Sequence, residues 1–212
     1  MKKYDIIQIC GSKQICAGRG FRPKHIMITA NLPKTVPKGT KYCIKEKERI
    51  LMITAIAAVS ENWGIGKDND LLFNIPEDKK FFRRTTLHHT VIMGRKTLQS
   101  LPNCKPFKDR SNIILSRDVN FTCDGADVCR NVEEVLELIK DREKVFVAGG
   151  GAIYSDMLPY CDNAIITKVD GKPDADVFFP NLDEDPEWLL MNTSDDHEFE
   201  GLTFRYCIYE KK

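Results

Sequence analysis

Residues 52–59 read Met52-Ile-Thr-Ala-Ile-Ala-Ala-Val59, a run of apolar and β-prone side chains interrupted only by Thr54. A strand with one wet face would alternate apolar and polar residues, and this run does not alternate. The pattern therefore predicts a strand that is buried on both faces. Such strands are typical of parallel sheets that are covered by helices, so we expect an α/β fold built around this segment.

The chain beyond this strand alternates between short apolar runs and helical patterns. We expect further strands over 90–93, 112–115, 144–148 and 164–167, and helices over 76–87, 95–101, 132–140 and 152–158. The last third contains apolar segments at 178–180, 188–191 and 203–209, without helices between them. The fold class that follows is α/β, with a mostly parallel central sheet flanked by helices and antiparallel C-terminal strands.

The segment between the first strand and the first helix, residues 60–73, contains Asn62, Gly64, Gly66 and Asn69. It is too irregular for a predicted element, so we expect a long loop. Loops of this length in compact domains are commonly functional lids.

The charge distribution divides the chain near residue 50. Residues 1–51 hold 12 Lys and Arg against 3 Asp and Glu, a net charge of +9, and the remaining 20 against 28 give residues 52–212 a net charge of −8. We expect two parts: a basic N-terminal extension over 1–51, disordered or the product of an upstream start, and a catalytic domain over 52–212. Lys47-Glu-Arg49 can be encoded by AAG-GAG-AGA, a purine-rich run that resembles a bacterial ribosome-binding site and lies two codons before Met52. This raises the hypothesis that translation starts at Met52. The intact mass of protein from its native source would test it.

The eight cysteines are scattered and form no C-x-x-C pair, at positions Cys10, Cys16, Cys43, Cys104, Cys123, Cys129, Cys161 and Cys207. This spacing disfavours a zinc site and a secreted disulfide framework, so we expect no metal and a reducing, cytoplasmic location. The longest apolar run, residues 50–59, has the length of a strand and is too short for a membrane span. We expect neither a membrane nor a nucleic-acid partner.

A candidate acid lies in the stretch Asn74-Ile-Pro-Glu-Asp-Lys-Lys-Phe-Phe-Arg-Arg84. Pro76 suits the first position of a helix, and the acids that follow it suit the positive end of the helix dipole. Asp78 and Phe82 are four residues apart and share a helix face, so they could line an apolar pocket that holds one carboxylate. The alternative, which this stretch alone favours, is that both acids are solvated first-turn residues and that Phe81 and Phe82 belong to the core.

Three strand ends carry groups that bind phosphate. Gly94-Arg-Lys-Thr97 opens a helix directly after a strand, Ser116-Arg117 ends the next strand, and Gly149-Gly-Gly151 ends another. Ligands of α/β sheets gather at the carboxyl ends of strands, so three such ends together favour a dinucleotide site. A second arginine near the adenosine would favour a 2′-phosphate, and hence NADP over NAD. The glycines do not match G-x-G-x-x-G, because Tyr154 occupies the third glycine position.

From Ile53 to the C-terminus the chain resembles the dihydrofolate reductases of the bacterial chromosomal type. The matching motifs occur in the family's order: Ile56-Ala-Ala58, Trp63-Gly-Ile-Gly66, Asn74-Ile-Pro-Glu-Asp78, Val91-Ile-Met-Gly-Arg95 with Thr97, Asn112-Ile-Ile-Leu-Ser116, Gly149-Gly-Gly151 with Ile153-Tyr154, Thr167, and Asp176 before Phe179-Pro180. The resemblance implies reduction of 7,8-dihydrofolate to 5,6,7,8-tetrahydrofolate, with hydride transfer from NADPH to C6 and protonation of N5. It also implies a monomer that antifolates inhibit.

By this resemblance, Asp78 grips the pterin 2-amino group and N3, Thr167 braces Asp78, and Arg110 pairs with the glutamate α-carboxylate of the substrate. Asp78 should have a raised pKa and favour protonation of N5 indirectly, through water. The implied substrate-binding residues are Ile56, Ala57, Ala58, Asp78, Phe82, Leu101, Phe107, Arg110, Ala148 and Thr167.

The resemblance also implies the residues that hold NADPH, and a cis peptide bond between Gly149 and Gly150. The implied cofactor-binding residues are Ala58, Ile65, Gly66, Gly94, Arg95, Lys96, Thr97, Leu115, Ser116, Arg117, Gly149, Gly150, Gly151, Ala152, Ile153 and Tyr154.

The chain departs from the commonest family pattern at several positions. Phe73 replaces a tryptophan, Leu71-Leu72 replaces a residue followed by proline in the lid, and Ala148 is smaller than usual. These changes bear on rate and on inhibitor binding. Two rival functions are a riboflavin-pathway reductase of the same fold, which Asp78, Phe82 and Thr167 disfavour, and a non-catalytic NADPH-binding module with a basic arm.

Overall fold

The computed structural model of the protein describes residues 51–212. The predictions for the basic extension fall on residues that lie outside this range, apart from Leu51.

Helices and strands alternate through most of the described chain, as the sequence predicts. The strands are β1 (Met52–Val59), β2 (Gly64–Lys67), β3 (Asp70–Leu71), β4 (Thr90–Gly94), β5 (Ser111–Leu115), β6 (Asp127–Cys129), β7 (Lys144–Val147), β8 (Asn163–Val169), β9 (Val177–Phe178), β10 (Trp188–Thr193), β11 (His197–Phe199) and β12 (Leu202–Lys211). The helices are α1 (Pro76–Thr86), α2 (Arg95–Ser100), α3 (Val132–Ile139) and α4 (Gly151–Met157), with 3₁₀ turns at Pro102–Cys104 and Leu158–Tyr160.

Within residues 51–212, nine strands form one sheet in the order β10-β12-β8-β1-β7-β4-β5-β6, with β11 paired to β12. The pairs from β8 through β1, β7, β4 and β5 to β6 are parallel. The pairs that involve β12 are antiparallel. The fold class predicted from the sequence is confirmed, including the antiparallel strands at the C-terminal edge.

The first strand lies near the middle of this sheet, as its apolar run predicts. Its register places Ala55 opposite both Val147 of β7 and Ala164 of β8. Residues 53–56 and 59 of β1 are buried, because helices and loops cover both faces of the sheet. Ala57 and Ala58 are only half-buried, and they lie at the end of the strand where a cleft opens.

The predicted long loop over 60–73 is wrong in part. It contains the short hairpin β2–β3, and β2 also pairs with β9 in a separate sheet of three strands within the described chain. Asn69 lies in the turn of this hairpin with a φ of 65°, and Gly64 and Gly66 lie in β2, where an added Cβ would come within 2.7 Å and 2.9 Å of other atoms. The distant partner β9 completes the hairpin, and local sequence does not report such a partner.

The helix predictions hold to within one or two residues. Asn131 is the N-cap of α3, and its side chain accepts a hydrogen bond from the backbone N–H of Glu134. Trp188 is buried in the core. The short strand β6 was missed, because its three residues, Asp127–Cys129, carry no apolar run of their own and pair only through β5.

In the part of the chain that the structure describes, no helix has the length and apolar character that crossing a membrane requires.

Candidate active site

A cleft of about 960 Å³ opens at the carboxyl ends of β1, β4, β5 and β7. The sheet order brings these four strand ends together, although 30 or more residues lie between β1 and each of the others along the sequence. All of the predicted cofactor-binding residues line this cleft, and so do Ala57 and Ala58 of the predicted substrate site together with Ala148. The remaining predicted substrate residues are Ile56 in β1 and others in α1, in β8 and in the segment from 101 to 110.

The loops after β4 and β7 are tied together by backbone hydrogen bonds. Gly94 N–H donates to the Gly149 carbonyl at 2.7 Å, and the peptide bond between Gly149 and Gly150 is cis, as the resemblance implies. Gly149 has a φ of +104°, in the region that favours glycine. A Cβ on Gly149 would lie 3.0 Å from the Tyr154 ring, so the absence of a side chain keeps this wall of the cleft open.

Cationic and hydroxyl groups line the same cleft. Arg95, Lys96 and Thr97 follow β4, and Ser116 and Arg117 follow β5. Lys96 and Arg117 are exposed, whereas Ser116 is 6% exposed and presents its hydroxyl from within the wall. Exposed cations beside a buried hydroxyl and open backbone form an environment that suits phosphate groups. These residues therefore fit a dinucleotide such as NADPH.

The candidate acid lies beside the end of β8. Thr167 Oγ donates a hydrogen bond of 2.6 Å to a carboxylate oxygen of Asp78. The β1–β8 register pairs Thr167 with Ala58, so this hydrogen bond links α1 to the strand end that lines the cleft. Asp78 is half-buried and Thr167 is 3% exposed. The structure thus brings together two residues that are 89 positions apart in sequence.

Burial raises the pKa of the Asp78 carboxyl above its usual value, and the hydrogen bond from Thr167 opposes this because it stabilises the ionised form. The raised pKa that the sequence analysis predicts is confirmed in direction. Burial and then the negative charge of Asp78 raise the pKa of the Tyr154 hydroxyl, which donates to the Ile56 carbonyl at 2.7 Å. The Asp78 carboxylate and the Tyr154 hydroxyl are therefore close enough to interact electrostatically.

An apolar and cationic surface continues from Asp78 along α1. Phe82 packs against Phe107 with ring centroids 5.3 Å apart, and the Arg110 guanidinium lies 5.2 Å from the Phe107 centroid and 5.9 Å from that of Phe82. Arg110 Nε donates to the Thr86 hydroxyl at 2.8 Å, which fixes the direction of the guanidinium. Phe82, Leu101, Phe107 and Ala148 belong to one apolar cluster that also contains Ile56.

Two of the departures from the family pattern, Leu71-Leu72 and Phe73, lie in β3 and directly after it. Phe73 packs against a small cluster that contains Ile75, Val169 and Phe204, so its ring has an apolar role in this chain. Leu71 is 65% exposed on β3, at the mouth of the cleft. The lid is fixed at its base: Asp68 N–H donates to Asp176 at 3.1 Å, and Lys67 pairs with Asp174.

Several residues that line the cleft are absent from the sequence prediction. They are Asn69, Asp70, Leu71, Ser100, Asp118, Arg130, Asn131, Val132, Glu133, Asp156, Tyr160 and Val177. Most are surface-type residues with no local signal. Arg130 is different, because it directly precedes the predicted N-cap Asn131. A cation at the start of a helix is a signal from which a residue of the cleft could have been predicted.

Among residues 51–212, no group of three His, Cys, Asp or Glu side chains is placed to hold a metal ion.

Comparison with known proteins gives a consistent result. The family model described as dihydrofolate reductase matches residues 52–211. The chain is 35% identical to dihydrofolate reductase of Bacillus subtilis (strain 168) over 163 residues, which is 76% of this chain and 95% of that protein. It is 42% identical to dihydrofolate reductase of Neisseria meningitidis serogroup A over 134 residues, covering 63% of this chain and 82% of that protein.

Among solved structures, the protein is similar to dihydrofolate reductase from Enterococcus faecalis complexed with NADP(H) and RAB-propyl. The TM-score is 0.70 and the sequence identity is 29%, over 76% of this chain and 96% of the other. The match to the family model spans Asp78, Thr167 and the glycines 149–151. The chain belongs to the dihydrofolate reductase family.

Proposed function

We propose that Asp78, held by Thr167 beside the β1 strand end that lines the cleft, is the carboxylate with which this chain binds dihydrofolate and promotes its reduction. The chain is an NADP-dependent oxidoreductase that reduces 7,8-dihydrofolate to 5,6,7,8-tetrahydrofolate and so supplies one-carbon metabolism. The hydrogen bond of 2.6 Å between Thr167 Oγ and Asp78 carries the proposal, because it fixes a half-buried carboxylate beside the strand end that opens into the cleft.

Asp78 acts first as an acceptor. One carboxylate oxygen accepts from Thr167, so the other is free to accept from the 2-amino group and N3 of the pterin, which are adjacent donors. Burial strengthens this recognition, because a charged acceptor in a low-dielectric site loses less to competing water. The negative charge next to the ring also favours a proton on N5, which we assign to delivery by water rather than by Asp78 itself.

Phe82, Phe107 and Arg110 form the surface for the rest of the substrate. The two rings pack on the aminobenzoyl group, and Arg110 pairs with the glutamate α-carboxylate in a bidentate geometry. Arg110 is prepared for this, because Thr86 and the carbonyls of Lys108 and Arg83 already hold its guanidinium. Antifolates that carry a diaminopyrimidine group would use the same acid and rings.

NADPH, when bound, supplies the hydride that reduces C6 of the pterin. Arg95, Thr97, Ser116 and Arg117 would hold its phosphates, and Ala58 and Ile65 would border the nicotinamide. The lid residue Ile65 also separates the reacting groups from solvent, which strengthens electrostatic interactions inside the cleft.

We further propose that residues 52–212 form the reductase domain, that it acts as a monomer, and that it acts in the cytoplasm. The family match over 52–211 supports the domain boundary. The described cysteines Cys104, Cys123, Cys129, Cys161 and Cys207 are free thiols, which suits a reducing compartment.

The test is oxidation of NADPH, followed by its absorbance, with dihydrofolate as substrate. The wild type should turn over, and Asp78→Asn should lose most of this activity. The matched control is Glu77→Gln, since Glu77 is the neighbouring first-turn acid and is exposed to solvent. Equal loss in both variants would show that charge at the start of α1 matters rather than Asp78, and absence of wild-type turnover would overturn the assignment of dihydrofolate.

A further inference from the structure

The side chain of Arg130 gathers the loop that follows β5. Its Nη1 donates to the carbonyls of Ser116 at 3.2 Å and Asp118 at 2.6 Å. Its Nη2 donates to the carbonyls of Val119 at 3.1 Å and Phe121 at 3.0 Å. The guanidinium therefore closes residues 116–121 around itself.

The chemistry of the guanidinium limits what else Arg130 can do. Nη1 and Nη2 carry four N–H groups in a planar fork, and within the described chain four backbone carbonyls accept from them. This outer fork is fully engaged with the protein. Arg130 lines the cleft, but its contacts are those of a residue that shapes the loop rather than one that grips a ligand.

The start of α3 fixes the backbone of Arg130. The Asn131 side chain accepts from Glu134 N–H at 2.8 Å, and the Glu134 carboxylate accepts from Arg130 N–H at 2.8 Å. These reciprocal bonds have the character of a capping box, shifted by one residue. Because α3 packs its apolar face into the core through Val135 and Ile139, the position of Arg130 is set by a buried element.

The loop held by Arg130 carries two groups of the cleft, Ser116 and Arg117. Ser116 N–H donates to the Cys129 carbonyl at 3.0 Å, and its hydroxyl accepts from Asp118 N–H at 3.3 Å. Arg117 is exposed and has no such anchor of its own in this loop's described contacts. Its direction therefore depends on the shape of residues 116–121, which Arg130 maintains.

We propose that Arg130 is a positioning residue that sets the preference for a 2′-phosphorylated dinucleotide, by holding Ser116 and Arg117 where they face the 2′-phosphate. This rests on the proposed orientation of NADPH, with its adenosine end at the β5 strand end. The proposal gives the residue a role through backbone geometry, and it predicts that positive charge alone at position 130 is insufficient.

The experiment compares two fragments of the cofactor, adenosine 2′,5′-bisphosphate and adenosine 5′-monophosphate, by calorimetry on the wild type, Arg130→Lys and Arg130→Ala. Lysine keeps the charge but has one ammonium group and no planar fork, so it cannot reach four carbonyls. We expect the wild type to prefer the bisphosphate, and both variants to lose about tenfold of that preference, the effect of one charge-assisted hydrogen bond. The matched control is Arg142→Lys, at an exposed arginine just beyond α3 and outside the cleft lining.

Steady-state kinetics give a second measurement on the same variants. The KM for NADPH should rise about tenfold, while kcat and the KM for NADH stay near the wild-type values. A general loss of folding would instead move every parameter and lower Tm; if Arg130→Ala does not fold, Arg130→Lys carries the test.

Two results would overturn the proposal, and they are distinguishable. Full preference for the bisphosphate in Arg130→Lys would show that charge, and not the fork, is what position 130 supplies. Absence of any preference in the wild type would show that the 2′-phosphate does not bind here, and would remove the proposed cofactor orientation itself.

Discussion

The proposed site has two ends, the surface around Asp78 and the cleft lined by Lys96, Arg117 and the glycines, and these ends differ in burial and charge. At the Asp78 end, a half-buried carboxylate is fixed by the hydroxyl of Thr167, which is 3% exposed, and aromatic rings surround the arginine. At the other end, Lys96 and Arg117 are exposed cations next to open glycine backbone. In a low-dielectric site a single charge interacts strongly with a ligand. In a solvent-exposed site each interaction is weak, so binding needs several charges that are correctly placed.

Under the proposed function, this difference would place the chemistry at the Asp78 end and the affinity for NADPH at the other end. Dihydrofolate must be oriented and activated, which calls for a preorganised group in a dry environment. The phosphates of NADPH need only be held, and surface cations do this at the cost of sensitivity to salt. The following predictions separate the two ends.

The largest effect should come from Asp78→Asn, which should lower turnover of dihydrofolate by about 10²–10³-fold, the range for the loss of one preorganised group that stabilises charge in the transition state. The asparagine keeps the shape but loses the charge that grips the pterin and favours the proton on N5. Fluorescence titration should show unchanged affinity for NADPH. A parallel loss of NADPH affinity would mean that the two ends are not separable.

Gly149→Ala should damage the cofactor end instead. The new Cβ would adopt a φ of +104° and lie 3.0 Å from the Tyr154 ring, which narrows the wall that faces the dinucleotide. NADPH affinity should fall by about tenfold or more, together with roughly 1–2 kcal/mol of stability for the left-handed backbone.

The matched control for this glycine is Gly125→Ala. Gly125 has a φ of +81°, but a Cβ there meets no atom within 4 Å. It should lose similar stability in chemical denaturation and no NADPH affinity. If both variants lost affinity alike, backbone strain and not the cleft wall would be the cause.

Arg117→Ala should weaken NADPH binding by about tenfold and leave NADH binding unchanged, because the lost contact is to the 2′-phosphate. Binding of NADPH by the wild type should also fall as salt rises, and less steeply in the variant, since exposed charges are screened. Titrations of both cofactors at two salt concentrations measure both effects. A salt slope equal to that of the wild type would contradict the assignment.

The smallest effect concerns pH. Burial raises the pKa of Asp78 in the folded state, so this group favours folding at acid pH and that contribution is lost as pH rises through the folded-state pKa. Thr167→Val removes the hydroxyl that donates to the ionised Asp78 carboxylate, so it should raise the pKa of Asp78 further. The contribution of Asp78 to stability would then be lost at a higher pH. Carbon-13 NMR of the Asp78 carboxyl gives the pKa, and Tm against pH gives the stability.

Asp78→Asn is the control for that titration. It should remove the contribution of Asp78 to the pH dependence of Tm and melt higher than the wild type at neutral pH, because it removes a desolvated charge. A pKa of Asp78 that falls in Thr167→Val would contradict the geometry at this end of the cleft.

Most of the fold could be read from local pattern. The unbroken apolar run of β1 predicts burial on both faces, Pro76 and the acids after it predict the start of α1, and Asn131 predicts the cap of α3; each signal acts within a few residues. The β2–β3 hairpin, β6 and β11 escaped prediction. The strand β2 pairs with the distant β9, and β6 and β11 are strands of three residues that each pair with a single strand.

The residues of the candidate site were predicted by motif, and their arrangement was not. The sequence by itself determined that an acid lies in the first turn of α1, and that cations, hydroxyls and glycines follow three strands, because side-chain chemistry and short-range backbone preference are local properties. Only the tertiary structure decided that Thr167 reaches Asp78 and that Arg130 closes the loop bearing Arg117, since hydrogen bonds across 89 and 14 residues exist only once the parallel strands are in register.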